Sequence, residues 1–558
     1  MLKAKAFLKA LPLAGRVNKV FKAWRTRGLP DFASHAAVNR WLARRSQTSP
    51  PTVPYTQVVG DQSHVAAQFI ALHKTPGVSR PDMAGRRILV AGLHNPTWVW
   101  RCLPIAVALA GRGASVDYAW AQFPDYLGEM PGNEYLPGAS SVADIALAVH
   151  PNLRLIPFAQ VPPAEVTDAD RASAARLGYF DACHYSRRET CRPATSPADA
   201  LLIATRTARN LEAAKRFHRL FDEGGYDWVV MPNGAAYEYG TGFDVAQARG
   251  LGCGTFDCND RHQSVYVGIN RPSVSLDTSA YWAADAPHDL SPARRARVTK
   301  AMMQRELPGW NERDNFVWHG QLAPVAAVPE LLSQLALRPD KPTALLCTNL
   351  SWDSTVLGRN RTFASMIEWI LETVGWFVAR PDRQLVVRVH PVEKTCPTNE
   401  PVVPAVRAKY PDLPPNIRLV DGGDAVNTYG LMRLAHCGLV YTTTTGIEMA
   451  MRAIPTVVVG RTHYAGHGFT IDPPDPPSYF AQLEHLLGRQ EPARLPDDQT
   501  RLAMCYWDVF FENMILPFPW NMRKNEDCPD DFPVAKLIAG DCPPEYLRTL
   551  DFLAGLPV

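Results

Sequence analysis

The alternation of short apolar runs with helical patterns is the feature that most constrains how this chain of 558 residues folds. The runs come in two sets, and most are followed by a stretch whose apolar residues recur at helical spacing. The first set comprises residues 87–92, 114–118, 226–231 and 252–256. The second set comprises residues 343–347, 384–389, 416–420, 438–441 and 455–459. Because a strand–helix–strand order requires parallel strands, the sequence predicts an α/β protein with two Rossmann-like domains facing each other across a cleft.

The segments around these two sets predict the domain boundaries. Residues 46–84 are rich in Pro, Ser, Thr and Gln and are predicted to form a linker. The first Rossmann-like domain is predicted at residues 85–330 and the second at residues 331–490. Late helical patterns predict that residues 491–558 form a C-terminal helical extension.

Residues 1–45 form a basic arm with eleven Lys or Arg and one acidic residue. Its apolar residues alternate with Lys and Arg at near-helical spacing, which is typical of a basic amphipathic helix on an anionic membrane surface. A helix packed on the protein, a basic tail or an organelle-targeting sequence has the same composition. The rest of the chain is mildly acidic, which argues against nucleic-acid binding, and no run of 18 apolar residues predicts a membrane span.

The cysteines and the known motifs exclude several classes of protein. Eleven cysteines without a C-x-x-C pair predict neither a disulfide framework nor a zinc site, and they favour a reducing, cytoplasmic compartment. His463 and His467 have H-x₃-H spacing, but the glycines beside them predict a mobile loop over the cleft, and no metal site is predicted. The sequence contains no G-x-G-x-x-G, G-x-x-x-x-G-K-[ST], G-x-S-x-G or H-E-x-x-H motif, which argues against dehydrogenases, P-loop kinases, hydrolases and zinc proteases.

Polar segments follow the predicted strands of the second set, where an open parallel sheet binds its ligands. In the turn after residue 441, a strand runs through hydroxyl groups into a helix, an arrangement that binds phosphate. The turn residues predicted to contact phosphate are Thr443, Thr444, Thr445 and Gly446. Glu448 follows in the first helical turn and has the position to accept hydrogen bonds from ribose hydroxyls. The same spacing fits a capping box between Thr445 and Glu448, or an i,i+4 pair between Glu448 and Arg452.

Further candidates lie at the ends of other strands. His390 ends a strand beside a proline, where an imidazole can donate a hydrogen bond to phosphate or protonate a leaving group, or serve the structure alone. In the first half, Asn95 and Asn233 follow strands and are candidates for substrate binding. Asp257 and Glu238 are the candidates for a base that deprotonates an acceptor hydroxyl, although carboxylates at such places also act as caps or ion-pair partners.

Three segments of the second half resemble the capsule polysaccharide biosynthesis family, which includes Kdo transferases acting on lipid-linked capsule glycans. They are residues 385–393 (LVVRVHPVE), residues 442–450 (TTTTGIEMA), and residues 455–460 followed by 464–472. The resemblance covers about residues 340–475. The combination of a His-Pro pair with a hydroxyl-rich turn is also similar to CMP-sugar-using sialyltransferases and CDP-glycerol glycerophosphotransferases, which are GT-B-like enzymes.

The resemblance implies a metal-independent GT-B glycosyltransferase that moves a sugar from a nucleotide-activated donor, with a CMP-sugar favoured, to a surface or capsular polysaccharide acceptor. It implies that the second domain binds the nucleotide-sugar and the first the polysaccharide or lipid-linked acceptor, with no cofactor besides the donor. It also implies that His390 and Thr443 to Thr445 contact the donor phosphate and Glu448 the nucleotide. The expected location is cytoplasmic and peripheral at the inner membrane face. The alternatives are a nucleotide-sugar 2-epimerase and a non-catalytic scaffold of a polysaccharide assembly complex.

Overall fold

A computed structural model describes most of the chain beyond residue 80. The described residues are 81–93, 96–120, 151–259, 261, 263–307, 323–395, 398–489, 491–520 and 532–556. The predicted basic arm, most of the predicted linker and Asn95 lie outside these residues.

The first domain is built on a seven-stranded sheet with the order β12-β6-β5-β4-β1-β2-β3. Its strands are β1 (Arg87–Leu93), β2 (Ser115–Trp120), β3 (Leu153–Pro157), β4 (Trp228–Pro232), β5 (Gly252–Cys258), β6 (Ser264–Ile269) and β12 (Ile515–Pro517). Strands β1 to β5 are parallel in the Rossmann order, and β6 runs antiparallel to both of its neighbours.

The second domain contains a five-stranded parallel sheet with the order β11-β10-β7-β8-β9. Its strands are β7 (Thr343–Cys347), β8 (Gln384–Arg388), β9 (Ile417–Val420), β10 (Cys437–Val440) and β11 (Thr456–Val458). The first and fourth strands of this domain, β7 and β10, are neighbours, as are β1 and β4 in the first domain. Each sheet therefore has a switch point between its first and fourth strands, and the prediction of two Rossmann-like domains is confirmed.

Helices pack against both sheets, and local sequence signals begin and end them. The helices of the first domain are α1 (Pro96–Gly111), α2 (Asp168–Ser186), α3 (Pro197–Gly224) and α4 (Tyr237–Ala248). Thr167 and Asp170 form a capping box at the start of α2. Ser196 caps α3, and Gly225 ends it in the left-handed conformation that glycine adopts at low cost.

The helices between β6 and β12 pack mainly on the second domain or follow its strands. They are α5 (Ser279–Ala284), α6 (Pro292–Glu306), α7 (Val328–Gln334), α8 (Met366–Val378), α9 (Val392–Thr395), α10 (Val402–Lys409), α11 (Thr428–Met432), α12 (Thr445–Ala450), α13 (Pro476–Leu487) and α14 (Asp497–Asp508). Helices α5 and α6 lie before the predicted boundary at residue 330, yet their apolar residues pack in the core of the second domain. Among the described residues, no helix combines the length and apolar character that a membrane span requires.

The C-terminal segment is not the separate helical extension predicted for residues 491–558. Helix α14 continues as a π-helix (Val509–Met514) in the second domain, and the chain then enters β12 of the first sheet. Two final helices, α15 (Val534–Ala539) and α16 (Pro544–Leu553), pack in the core of the first domain. The sequence pattern missed this return because a three-residue edge strand is too short to show alternation.

A buried carboxylate ties the first domain to the second. Glu189 follows α2, and its two side-chain oxygens accept hydrogen bonds from the backbone N–H groups of Met366 (2.6 Å) and Ile367 (3.2 Å) at the start of α8. The backbone N–H of Glu189 donates to a side-chain oxygen of Glu400 at 2.7 Å. Burial raises the pKa of Glu189 to about 7, against the lowering effect of the two N–H donors.

The neighbouring backbone strengthens this connection. The carbonyl oxygen of Arg187 accepts hydrogen bonds from the Thr398 hydroxyl at 2.8 Å and from the Asn399 N–H at 2.9 Å. The Asn399 side chain donates to the carbonyl of Ser186 at 2.6 Å. We call residues 186–189 the interdomain tie, because they bind the second domain at both the start of α8 and residues 398–400.

The docking of α16 on the first sheet is tested by Gly254→Ala. A Cβ at position 254 in β5 would overlap the carbonyl oxygen of Leu553, which also accepts a hydrogen bond from Trp228 Nε1 at 2.9 Å. We expect a loss of about 1–3 kcal/mol in the free energy of unfolding, measured in urea. The control is Gly423→Ala, whose Cβ meets only the flexible Lys394 side chain at 3.5 Å and which should change stability by less than about 0.5 kcal/mol. Equal stability of both variants would contradict the described contact.

The interdomain tie predicts a pH dependence of stability. When folding raises the pKa of a carboxyl group, the folded chain holds more protons than the unfolded chain at any pH between the unfolded and the folded pKa. The free energy of unfolding therefore falls as the pH rises through that range. For Glu189 the window runs from about 4.5 to about 7. We expect the free energy of unfolding to fall by about 2–3 kcal/mol more between pH 5 and pH 8 in the unchanged protein than in Glu189→Gln. Glu372→Gln, at an exposed position of α8, is the control, and identical slopes for all three proteins would refute the effect.

Candidate functional site

A cavity of about 420 Å³ lies between the domains and gathers several of the predicted residues. The second domain contributes His390, Thr443 and Thr444, and the first domain contributes Asp257. These residues follow β8 and β10 or lie at the end of β5, so the carboxyl ends of strands from both sheets meet at this cavity. We call it the main cavity.

Hydrogen bonds fix the orientation of His390. Its backbone N–H donates to the Thr348 hydroxyl at 3.0 Å, and its Nδ1 accepts a hydrogen bond from the Val392 N–H at 3.3 Å. Because Nδ1 is an acceptor, the proton of the neutral ring is assigned to Nε2. The loop of His390 therefore selects the tautomer in which Nε2 carries the proton.

The hydroxyl-rich turn before α12 is held by its neighbours. The Thr443 and Thr445 hydroxyls lie 3.0 Å apart, and the Thr443 carbonyl accepts a hydrogen bond from the Tyr464 hydroxyl at 2.6 Å. A Cβ at Gly446 would come within 2.5 Å of that tyrosine oxygen, so the close approach requires glycine. The Thr442 hydroxyl is buried and has no hydrogen-bond partner among the described residues.

A smaller cavity of about 140 Å³ continues from the main cavity along α12 and shares His390, Thr443 and Thr444 with it. Glu448 lines it and forms an ion pair of 2.7 Å with Arg305 of α6. The interpretation of Glu448 as a capping-box residue is wrong, because α12 is capped by Thr444 without a side-chain hydrogen bond.

Other contacts also replace the alternative ion pair between Glu448 and Arg452. Arg452 donates to the backbone carbonyl of Glu448 and pairs with Glu306 at 2.9 Å. The carboxylate of Glu448 is thus held by a helix from a distant part of the sequence. The wall of this cavity also contains Arg388, whose Nη2 is buried and has no hydrogen-bond partner among the described residues. Burial lowers the pKa of Arg388.

The two predicted bases have different surroundings. Asp257 lies at the end of β5 and lines the main cavity, and its Oδ1 accepts a hydrogen bond from the Cys258 N–H at 2.7 Å. Glu238 is only 1% exposed and pairs with Arg206 at 3.2 Å, beside Asp181. Glu238 is therefore not a candidate base, since its carboxylate is enclosed among α2, α3 and α4 and does not line the described cavities.

Of the two predicted asparagines, only Asn233 lies among the described residues. The Asn233 side-chain oxygen accepts hydrogen bonds from the N–H groups of Ala235 and Ala236 at 2.8 and 3.1 Å, so this amide shapes the start of α4. Asn233 lines none of the described cavities, and its substrate-binding role is corrected to a structural one. Asn95 lies outside the described residues.

The H-x₃-H segment packs against α14. His463 Nδ1 lies 2.8 Å from the Tyr506 hydroxyl, and that hydroxyl donates to the His463 carbonyl at 2.7 Å. Burial, with smaller effects of His467 and Arg359, lowers the pKa of His463 to about 3. The aromatic residues Tyr464 and Phe469 are fully buried, so the predicted mobile loop is a packed wall. Within the described residues, no three His, Cys, Asp or Glu side chains are grouped as a metal site.

Sequence reasoning missed two arginines of the main cavity, Arg359 and Arg461. Arg359 lies between β7 and α8, and Arg461 follows β11. The backbone N–H of Arg461 donates to the Arg359 carbonyl at 2.7 Å, so the two residues are adjacent. Their sequence context shows no motif, and the only available signal was their position after strands of the second set.

The strand orders and the cleft define an α/β protein with two Rossmann-like domains. Residues 329–482 match the family described as capsule polysaccharide biosynthesis protein. The match lies in the second domain, and the resemblance predicted from residues 385–472 is confirmed.

Comparisons with other proteins show low sequence identity. No curated protein matches the chain in sequence. Among solved structures, a comparison matches the chain to Thermosulfurimonas dismutans KpsC, beta Kdo 2,4 transferase, with 13% identity, coverage of 50% of this chain and 79% of that chain, and a TM-score of 0.29. The beta Kdo 2,7 transferase of Thermosulfurimonas dismutans KpsC is 10% identical. That match covers 59% of this chain and 90% of that chain, with a TM-score of 0.33. A putative UDP-N-acetylglucosamine 2-epimerase from Listeria monocytogenes is 10% identical. That match covers 82% of this chain and 96% of that chain, with a TM-score of 0.24.

The ion pair between Arg305 and Glu448 predicts a measurable coupling. Arg305→Met leaves a carboxylate of 7% exposure without its cation, so we expect the free energy of unfolding to fall by about 2 kcal/mol. In the double variant Arg305→Met/Glu448→Gln, at least half of this loss should be recovered, because the uncompensated charge is gone. Arg433→Met, which breaks the more exposed pair with Glu306, is the control and should cost less than about 1 kcal/mol. Additive losses in the double variant would refute the coupling.

Proposed function

We propose that this protein is a glycosyltransferase that transfers a sugar from a nucleotide-activated donor, with a CMP-sugar favoured, to a surface or capsular polysaccharide acceptor. The observation that carries the proposal is that one interdomain cavity combines His390 and the hydroxyl-rich turn of one domain with Asp257 of the other. The match of residues 329–482 to capsule polysaccharide biosynthesis proteins supports it.

In this proposal the smaller cavity holds the nucleoside and the main cavity holds the phosphate and the sugar. The hydroxyls of Thr443 and Thr445 and the Nε2–H of His390 would stabilise the negative charge that develops on the leaving phosphate. Glu448 would accept hydrogen bonds from the nucleotide, and Arg388 would supply a buried positive charge beside it. These groups are held by the protein before the ligand binds, which reduces the reorganisation that the reaction requires.

Asp257 is proposed as the base. Its carboxylate enters the main cavity from the first domain, on the side from which an acceptor would approach the donor held by the second domain. It would take the proton of the acceptor hydroxyl while that oxygen attacks the anomeric carbon, and the bond to the phosphate would break. All charge stabilisation in this scheme is assigned to side chains and backbone groups of the chain itself.

The proposed location is cytoplasmic, at the inner face of a membrane. The basic charge of residues 1–45 supports it, because such a segment is attracted to anionic lipid and would hold the enzyme near a lipid-linked acceptor.

A nucleotide panel tests the proposal. In a thermal-shift comparison of CMP, CDP, UDP and GDP, we expect at least one nucleotide, with CMP favoured, to raise the melting temperature, because a ligand that binds only the folded state stabilises it. Thr443→Val removes a hydroxyl at nearly constant shape and should weaken nucleotide binding about tenfold or more. Asp257→Asn should leave nucleotide affinity within about twofold but lower sugar transfer at least about 100-fold.

The controls separate the alternatives. His485→Asn, at an exposed position of α13, should leave binding and transfer unchanged. If none of the four nucleotides stabilises the protein, the proposal fails and a scaffold role is favoured. If an epimerised nucleotide-sugar forms without any acceptor, the activity is that of an epimerase.

A further inference from the structure

A second cavity, of about 580 Å³, lies beside the main cavity and also between the domains. Helices α2 and α4 of the first domain line it on one side, and residues 357–364 of the second domain line it on the other. The residues shared by the two cavities are Val274, Ser275, Ser354, Arg359 and Arg461. The cavities therefore meet at the two arginines, and a molecule in the second cavity has access to the main cavity there.

The backbone holds the two arginines side by side at this junction. Arg359 Nη2 donates to the Val274 carbonyl of the first domain at 2.9 Å, and Arg461 Nε donates to the Asn360 carbonyl at 3.0 Å. Each guanidinium uses one N–H in these contacts and retains others for a ligand. The Ser275 hydroxyl at the same junction is buried and has no hydrogen-bond partner among the described residues.

The positive charge of this pair is not neutralised within the described residues. The carboxylates that line the two cavities are Asp257, Asp353, Glu189 and Asp244. Each of them accepts hydrogen bonds from other groups, and none forms an ion pair with Arg359 or Arg461 in the described part of the chain. Burial lowers the pKa of Arg359, and the charge of Arg461 lowers it further, so the pair is held together against its own repulsion.

Two adjacent guanidinium groups with free N–H donors match the oxygens of a carboxylate or a phosphate. The proposed phosphate of the donor is already assigned to the other end of the main cavity, at His390 and the turn before α12. An anion at the arginine pair would therefore belong to the molecule that occupies the second cavity. Apolar and aromatic side chains of α2, including Leu177, Tyr179 and Phe180, line that cavity and would contact the rest of this molecule.

We propose that the acceptor enters through the second cavity and carries a carboxylate or phosphate group that Arg359 and Arg461 bind. This inference rests on the proposed function, because it assigns the second cavity to the acceptor of the transfer reaction. The arginine pair then selects for acidic acceptors and places the attacking hydroxyl at the junction with the main cavity.

The experiment measures the binding of three small probes to the full chain by saturation-transfer NMR titration. The probes are glucuronate, glucose 6-phosphate and uncharged glucose. We expect at least one anionic probe to bind at least fivefold more tightly than glucose, and the probe that does so identifies the anion. Arg461→Met, at an exposed position, should abolish this preference, and Arg461→Lys should keep only part of it, because lysine retains the charge but loses the bidentate geometry.

Arg176→Met is the matched control, because Arg176 lines the same cavity but already pairs with Asp244 at 2.6 Å. This variant should keep the preference for anionic probes. Equal binding of all three probes to the unchanged protein, or an unchanged preference in Arg461→Met, would overturn the inference.

Repeating the titration with saturating CMP separates the acceptor from the donor. The preference should persist, and its loss would assign the arginines to the donor and overturn the inference. A failure of CMP itself to bind counts against the proposed function, whereas the titration without CMP still reports on the arginine pair.

Discussion

The functional geometry depends on the contacts that keep the carboxyl edges of the two sheets facing each other. A parallel Rossmann sheet places its strand-ending loops at one edge, but a cleft with two chemically different walls requires a second edge opposite the first. The interdomain tie provides one connection, because Glu189 accepts the backbone N–H groups that α8 leaves unsatisfied at its start. The return of the chain through β12 provides another. These contacts between the domains hold Asp257 and His390 at the same cavity.

The arginines of this molecule differ in how their charge is balanced by neighbouring carboxylates. Arg206 is almost fully buried and is surrounded by Asp181 and Glu238, and burial raises the pKa of that aspartate to about 6. The charges of that cluster pair with one another, so the cluster needs no ligand to balance them. Arg359 and Arg461 have no such compensation among the described residues, although they line cavities that reach solvent. Arg359 is partly buried and Arg461 is exposed, so the pair is accessible to an anion from solution, as proposed above.

Glu448 shows how far a local motif can be interpreted. The sequence permitted a capping box, a helical ion pair or contact with a nucleotide, because all three are compatible with a glutamate in the first turn of a helix. The structure removed the first two through Arg305, which approaches from α6 and pairs with the carboxylate. A contact between residues so distant in sequence has no signature in the local pattern. The role of Glu448 toward a nucleotide stays a prediction, now with a known partner in the free protein.

Most of the fold was predictable because the central strands of both sheets are continuous apolar runs buried on both faces. The missed elements were β3, β6 and β12, which lie at or near the edges of the first sheet. Strand β12 has only three residues and most of β3 is not buried, so neither shows the pattern of a buried strand. The predicted domain boundary at residue 330 lies too late in the chain. The amphipathic pattern of α6 predicts a helix, but it does not show against which domain that helix packs.

The amino-acid sequence by itself determined the two α/β units, the strand ends that carry polar groups, and the resemblance of residues 329–482 to capsule polysaccharide biosynthesis proteins. These features depend on local periodicity and on motifs within one segment. Tertiary structure alone decided that Asp257 enters the cavity while Glu238 is enclosed in an ion cluster, and that Arg359 and Arg461 stand together where two cavities meet. Burial and charge compensation depend on which distant segments surround a side chain, and that information exists only once the domains have packed.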